Sequence, residues 1–153
     1  MKAALDTNLL AYAEGVGDAE RRKIALDVIG RLPQGAAVLP VQVLGELFNV
    51  LTRKAGRSRA AARRAILGWR DGFDLIGTSA GVMVAANDLA VDHKLSIWDA
   101  VVLSAAAEGN CRLLLSEDLQ EGFTWRGVTV VNPFAAKRHP LLNGLLQTEF
   151  GRR

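Results

Sequence analysis

The chain has 153 residues, half of them hydrophobic and 23% charged, a composition that excludes a disordered segment and a fibrous repeat. No apolar run reaches the ~20 residues that a membrane span needs, and the first residues lack the apolar stretch of a secretory signal. With Cys111 as the single cysteine, an intrachain disulfide is excluded and a Cys/His zinc site nearly so. We therefore expect one soluble, cytoplasmic α/β domain.

Short apolar runs alternate with segments of helical periodicity along the chain. A first strand is predicted over residues 2–5, followed by helices over 7–14 and from Asp18 to 32. A strand over 36–39 precedes helices over 41–54 and 58–71, and a strand over 73–76 precedes helices over 78–93 and 97–108. Strands over 111–115 and 128–131 follow, and then a short helix over 141–150.

Strands that alternate with helices indicate parallel pairing through right-handed crossovers. The fold class predicted is α/β, a layered α/β/α sandwich with a central, mainly parallel sheet. We expect this domain to span residues 1–133 and residues 134–153 to form a C-terminal tail, partly helical. Cys111 and Trp98 are both expected to pack in the core.

The positive charge of the chain is concentrated in one segment. Residues 53–70 hold seven of the 19 basic side chains and no acid, so the rest of the chain is net acidic despite the overall charge of +3. Such a segment attracts polyanions, and nucleic acid is the commonest of these. A solvated helix face that only keeps the protein soluble would show the same pattern, so both interpretations remain open on charge alone.

Four acids stand where a catalytic centre of this fold class would form. Asp6 directly follows the first strand and Asp118 closely follows the strand over 111–115, while Glu46 and Asp99 lie on helices. The carboxyl ends of parallel strands meet at one edge of the sheet, where such sites occur. Carboxylates without histidine or thiol suit Mg²⁺ or Mn²⁺, ions that polarise phosphodiesters and activate water.

Each acid alone also has a purely structural explanation. Asp6 can be the N-cap of the next helix, and Glu46 can belong to a solvated helix face. Asp99 follows Ser96 at the spacing of a capping box, and Asp118 lies in a turn that favours acids. The spacing by itself therefore specifies no reaction.

Four segments resemble a known family. They are LDTNLL at residues 5–10, VLGEL at 43–47, LSIWDA at 95–100 and LLSEDL at 114–119. In this order they resemble the four motifs of PIN-domain nucleases, and the resemblance extends from residue 2 to about 133. Among the subgroups, the chain is most similar to the VapC-type toxins of prokaryotic toxin–antitoxin pairs.

This resemblance implies a metal-dependent endoribonuclease, the toxin of a type II toxin–antitoxin pair. It implies one or two Mg²⁺ or Mn²⁺ ions in a pocket of four catalytic acids, Asp6, Glu46, Asp99 and Asp118. Thr7 and Asn8 would support the pocket, and Ser116 matches a position where the family often has threonine. Glu117 is an additional acid that could substitute for Asp118, so the ligand set stays open.

The resemblance also implies an RNA substrate, a small antitoxin and a homodimer. We expect the basic segment to contact RNA or a partner through Arg53, Lys54, Arg57, Arg59, Arg63 and Arg64. A rival hypothesis is a catalytically silent RNA- or protein-binding PIN-like module. A phosphotransfer enzyme with Asp6 as nucleophile is disfavoured, because such hydrolases carry a second acid two residues later and this chain has Asn8 there.

Overall fold

The structure is a computed structural model that describes residues 1–147. These residues are organised around a single six-stranded sheet. Its strands, in the spatial order β3-β2-β1-β4-β6-β5, are β1 (Ala3–Leu5), β2 (Ala37–Pro40), β3 (Asp74–Ile76), β4 (Leu113–Leu115), β5 (Thr124–Trp125) and β6 (Val128–Val131). All neighbours pair in parallel except β5 and β6. The central pair is β1 and β4, in which every residue is buried.

Helices flank this sheet in the order that the sequence predicts. They are α1 (Thr7–Ala13), α2 (Ala19–Arg31), α3 (Val41–Arg53), α4 (Arg59–Gly72), α5 (Ala80–His93), α6 (Ile97–Glu108) and α7 (Pro140–Gln147). Side chains of Asp18, Ser58, Ser79 and Ser96 cap four of them by accepting a backbone N–H. The predicted fold class, a mainly parallel sheet between helices, is confirmed.

Helix α6 lies closest to the centre of the core. All residues from 100 to 106 are buried, because this helix packs along α5 and also contacts α3 and the sheet. A helix that is apolar on every side is stable only when it is enclosed in this way. Cys111 is buried too, as predicted.

Within residues 1–147, strand β5 is the one element that the sequence analysis missed. It is two residues long and pairs antiparallel with β6 through a turn at Arg126 and Gly127. Both turn residues have positive φ, 46° and 82°, which is the requirement of a tight two-residue hairpin. The glycine is the only signal of this turn in the sequence, and a strand of two residues has no periodicity of its own.

Part of the predicted tail packs on the domain. Helix α7 buries Leu142, Leu145 and Leu146 against the hydrophobic core. The helix predicted over 141–150 is thus present up to Gln147, and its last three residues lie outside the described part of the chain. Among the described residues, no helix is both long and apolar enough to cross a membrane.

Candidate functional site

The site begins with Asp6, at the carboxyl end of the central strand β1. Asp6 is the N-cap of α1 and is only 4% exposed. Its Oδ1 accepts the Thr7 backbone N–H at 2.8 Å, and its Oδ2 accepts the Ser116 hydroxyl at 2.7 Å. Ser116 reaches it because β1 and β4 pair in register and end together at the same edge of the sheet.

The electrostatics of Asp6 link it to two of the other acids. Its pKa is raised from 3.8 to about 6, first because burial disfavours the charged form. The hydrogen bonds from Ser116 and Thr7 oppose this rise, and the negative charges of Glu46 and Asp99 add to it. Two carboxylates that are distant in sequence therefore lie close enough to Asp6 to raise its pKa.

Glu46 is held by bonds to both of its carboxylate oxygens. The Thr7 hydroxyl donates to Oε2 at 2.5 Å, and the Gln42 amide donates to Oε1 at 3.2 Å. Gln42 and Glu46 lie one turn apart on α3, which begins directly where β2 ends at Pro40. Thr7 thus binds Asp6 through its backbone and Glu46 through its side chain.

Asp118 belongs to the turn that follows β4. Its Oδ2 accepts the Asn8 amide at 3.1 Å, and its own N–H donates to the Ser116 hydroxyl oxygen at 3.2 Å. The side-chain oxygen of Asn8 accepts the Glu117 N–H at 3.3 Å. Asn8 therefore holds this turn on two sides and keeps Asp118 close to the start of α1.

Asp99 lies in the first turn of α6, and its backbone N–H is capped by Ser96 at 3.2 Å. The cap uses the backbone of Asp99 and leaves its half-buried carboxylate to act on Asp6. The adjacent Trp98 is 52% exposed, so the prediction that it packs in the core is wrong. Trp98 is exposed because it lies in the first turn of α6, before the buried part of this helix begins at Ala100.

Glu117 faces away from these acids. The Tyr12 hydroxyl donates to one of its oxygens at 2.6 Å, and Arg21 Nε donates to the other at 2.7 Å. Sequence reasoning missed Tyr12, Arg21 and Gln42. Tyr12 had a detectable signal, because it stands one turn after Asn8 on the same face of α1.

The basic residues of the predicted interface differ in their exposure and in whether they form an ion pair. Arg53, Lys54, Arg59, Arg63 and Arg64 are exposed on α3, α4 and the connection between them. Arg59 and Arg63 line a groove of about 470 Å³ whose other lining residues include Leu44, Phe48 and Ile66. Arg57 instead pairs with the carboxylate of Glu14 at 2.8 Å and donates to the Glu14 carbonyl, which joins the α3–α4 connection to the end of α1.

The donor set at the sheet edge suits a divalent cation in its chemistry, since it consists of carboxylate oxygens with hydroxyl and amide support. The arrangement is not a ready-made coordination cage, because within residues 1–147 no three Asp, Glu, His or Cys side chains are placed so that they could hold a metal ion. Each oxygen of Asp6 and of Glu46 accepts one hydrogen bond. These bonds orient the two carboxylates and leave lone pairs on them for a cation.

The model of one protein family, described as the PIN domain, matches residues 3–121. The chain belongs to the PIN domain family. The resemblance found in the four sequence motifs is thereby confirmed at the level of the family. No curated protein matches this PIN domain.

Solved structures share the fold of this PIN domain. The VapC20 toxin of Mycobacterium tuberculosis, described as cleaving the sarcin–ricin loop, is 22% identical with a TM-score of 0.66 over 76% of this chain and 92% of its own. A toxin–antitoxin complex from Klebsiella pneumoniae is 21% identical, with a TM-score of 0.64, and the match covers 87% of this chain and 98% of the other. The DNA-bound VapBC of Salmonella typhimurium is 13% identical, with a TM-score of 0.57, and the match covers 85% of this chain and 96% of the other. At these identities the likeness establishes the fold.

Proposed function

We propose that this PIN domain is a metal-dependent endoribonuclease and the toxin of a type II toxin–antitoxin pair. The observation that carries the proposal is the buried carboxylate of Asp6, which stands under the negative charges of Glu46 and Asp99 at the carboxyl edge of the sheet. Like charges gathered at a buried position raise the free energy of the metal-free protein, and a bound cation would relieve that repulsion.

Asp6, Glu46, Asp99 and Asp118 would hold one or two Mg²⁺ or Mn²⁺ ions. A divalent ion there supplies a Lewis acid that polarises the phosphodiester and lowers the pKa of bound water. Hydrolysis of a phosphodiester needs no change of oxidation state, so positioning and charge are all that the ion must supply.

The remaining polar residues would orient these four acids. The Ser116 hydroxyl fixes one oxygen of Asp6, and the Thr7 hydroxyl fixes one oxygen of Glu46. The Asn8 amide does the same for Asp118. Because each of these donors binds a carboxylate through a hydroxyl or amide proton, each sets a rotamer without adding charge to the pocket.

The exposed cations of α3 and α4 would hold the RNA backbone next to this acidic edge, because phosphates are repelled by the acids and attracted by arginine. Arg53, Lys54, Arg63 and Arg64 are exposed, and so is Arg59, whose guanidinium lies 6.0 Å from the ring centre of Phe48, whereas Arg57 stabilises the connection through Glu14. The toxin–antitoxin complexes among the structures of similar fold support an antitoxin as protein partner. A homodimer in the cytoplasm completes the proposal.

A catalytically silent RNA- or protein-binding module is the second candidate. The missing coordination cage within residues 1–147 favours it. Against it stands the unfavourable gathering of like charges, which a module without a cation would have no physical reason to keep.

RNA cleavage distinguishes the two candidates. We expect the purified protein to cut labelled RNA in Mg²⁺ or Mn²⁺ and to lose activity in chelator. Asp6→Asn and Asp99→Asn should each lower the rate by about 100-fold or more, since each removes part of the charge that holds the ion. Asp92→Asn, on an exposed position of α5, is the matched control and should cut at the wild-type rate.

Wild-type protein that binds RNA without cutting it would support the silent module. Cleavage of equal rate by wild type, Asp6→Asn and Asp99→Asn would refute the assignment of the active site to this edge.

A further inference from the structure

Glu117 sits at the centre of a polar cluster that no motif of the family explains. Both of its oxygens are bound, one by the Tyr12 hydroxyl at 2.6 Å and one by Arg21 Nε at 2.7 Å. Its side chain is only 22% exposed. Unlike Asp6 and Glu46, Glu117 has its charge balanced by an arginine, so Glu117 is disfavoured as a metal ligand.

Arg21 is itself fixed from several directions. Its backbone N–H and its guanidinium both bind Asp18, the N-cap of α2, at 2.7 and 3.1 Å. The guanidinium carbon lies 5.8 Å from the ring centre of Tyr12 and 6.0 Å from that of Phe134. The two rings meet edge to face at 5.0 Å. The Arg21 guanidinium, which donates to Glu117, is therefore held in one orientation before any substrate arrives.

The residues on either side of Glu117 point to the acidic edge. Ser116 donates its hydroxyl to Asp6, and Asp118 accepts the amide of Asn8. The side chains of three consecutive residues thus have different partners: Ser116 binds Asp6, Asp118 binds Asn8, and Glu117 between them binds Tyr12 and Arg21. Asn8 and Tyr12 are one turn apart on α1, so a single helix face contacts both Glu117 and Asp118.

We infer that Arg21 and Tyr12 are positioning residues that act through Glu117. They clamp the middle of the turn formed by residues 116–118, and the clamp keeps the Ser116 hydroxyl on Asp6 and the Asp118 carboxylate beside Asn8. Glu117 therefore sets the geometry of the acidic edge and does not bind the ion. The consequence for catalysis rests on the proposed nuclease function, whereas the consequence for the turn does not.

Two variants remove the clamp with little change in volume. Tyr12→Phe deletes only the hydroxyl, and Arg21→Gln deletes the charge and the bond from Nε. Arg31→Gln is the matched control, because it breaks an ion pair of the same helix, with Asp27 at 3.4 Å, far along α2 from the turn. In RNA cleavage we expect the first two to lower kcat by about tenfold to 100-fold with KM little changed, and the control to cut at the wild-type rate.

Hydrogen exchange tests the clamp without any catalysis. The amides of Glu117 and Asp118 donate to Asn8 and to Ser116. In Arg21→Gln and in Tyr12→Phe both amides should exchange about tenfold faster than in wild type. The core amide of Leu103 should change no more in these variants than in Arg31→Gln, which separates a loosened turn from a loss of global stability.

The double variant Arg21→Gln/Glu117→Gln completes the test. Because both residues act through one contact, it should be no more impaired than the worse single variant, and additive losses would overturn the inference. Unchanged exchange of the two turn amides in Arg21→Gln and Tyr12→Phe would overturn it as well. If wild type cuts no RNA, the proposed function fails, and the exchange rates still decide whether the clamp exists.

Discussion

The carboxylate of Asp6 accepts a hydrogen bond on each oxygen, and yet its pKa is raised to about 6. Burial therefore outweighs the two bonds, and the charges of Glu46 and Asp99 act in the same direction. An acid whose pKa is higher in the folded than in the unfolded protein binds more protons when folded. The folded state then loses stability as the pH rises from about 4 to about 6.

Asp6→Asn should stabilise the metal-free protein near neutral pH. The shift of Asp6 from 3.8 to about 6 sets an upper bound of roughly 3 kcal/mol for this gain. The gain should vanish below about pH 4, where Asp6 is protonated in both states. Urea unfolding of both proteins in chelator at several pH values measures it, and a destabilised Asp6→Asn at neutral pH would contradict the prediction.

Tyr12 offers a second prediction at the scale of one residue. Burial, together with the hydrogen bond to Glu117, raises the pKa of Tyr12 from 10.0 to about 12. Tyr12 is the single tyrosine of the chain, so the phenolate absorbance reports it alone. Glu117→Gln removes the carboxylate charge and should lower the pKa of Tyr12, though not fully to 10 because burial persists. An ordinary pKa in the folded wild-type protein would refute the contact.

At the scale of elements, most of the fold follows from the pattern of apolar residues. Continuous apolar runs predicted β1, β2, β4 and β6 to within a residue or two, because strands buried on both faces show no alternation. Helix starts followed from capping residues such as Ser58 and Ser96. β5 escaped prediction because it exists only by pairing with β6 across a tight turn.

The site was predictable only as a set of candidate acids. The place of Asp6 and Asp118 after strands, and the four family motifs for all of them, indicated Asp6, Glu46, Asp99 and Asp118. The direction of each side chain depends on contacts between distant residues, such as that of Arg21 with Glu117, 96 positions apart. Neither periodicity nor spacing carries that information, which is why Glu117 could not be distinguished from a metal ligand by sequence.

Helix α7 makes residues 140–147 part of the packed structure. Leu142 is fully buried in the core. Leu142→Ala should therefore lower the free energy of unfolding by about 2 to 5 kcal/mol, as for other buried leucines. Leu26→Ala, at a leucine of α2 that is 49% exposed, is the control and should cost about 0.5 kcal/mol or less. Urea unfolding measures both variants, and an equally small loss of unfolding free energy in Leu142→Ala and Leu26→Ala would contradict a stabilising role of α7.

At the scale of the molecule, the strand order brings the chemistry together. β1 lies between β2 and β4, so the carboxyl ends of these three strands and the helices that follow β1 and β2 meet at one edge. The acids gather there, while the exposed cations lie on α3 and α4. One domain thus carries carboxylates that suit a cation and exposed basic side chains that suit a polyanion.

Thermal unfolding with Mn²⁺ tests the central claim, that this edge binds a divalent ion, most directly. At about 100 times its Kd, the ion should stabilise the wild type by ~2.7 kcal/mol, a rise in Tm of roughly 5 to 10 °C. Asp92→Asn should show the same rise, and Asp99→Asn should show most of it lost. No rise in the wild type, or an equal rise in Asp99→Asn, would contradict the account.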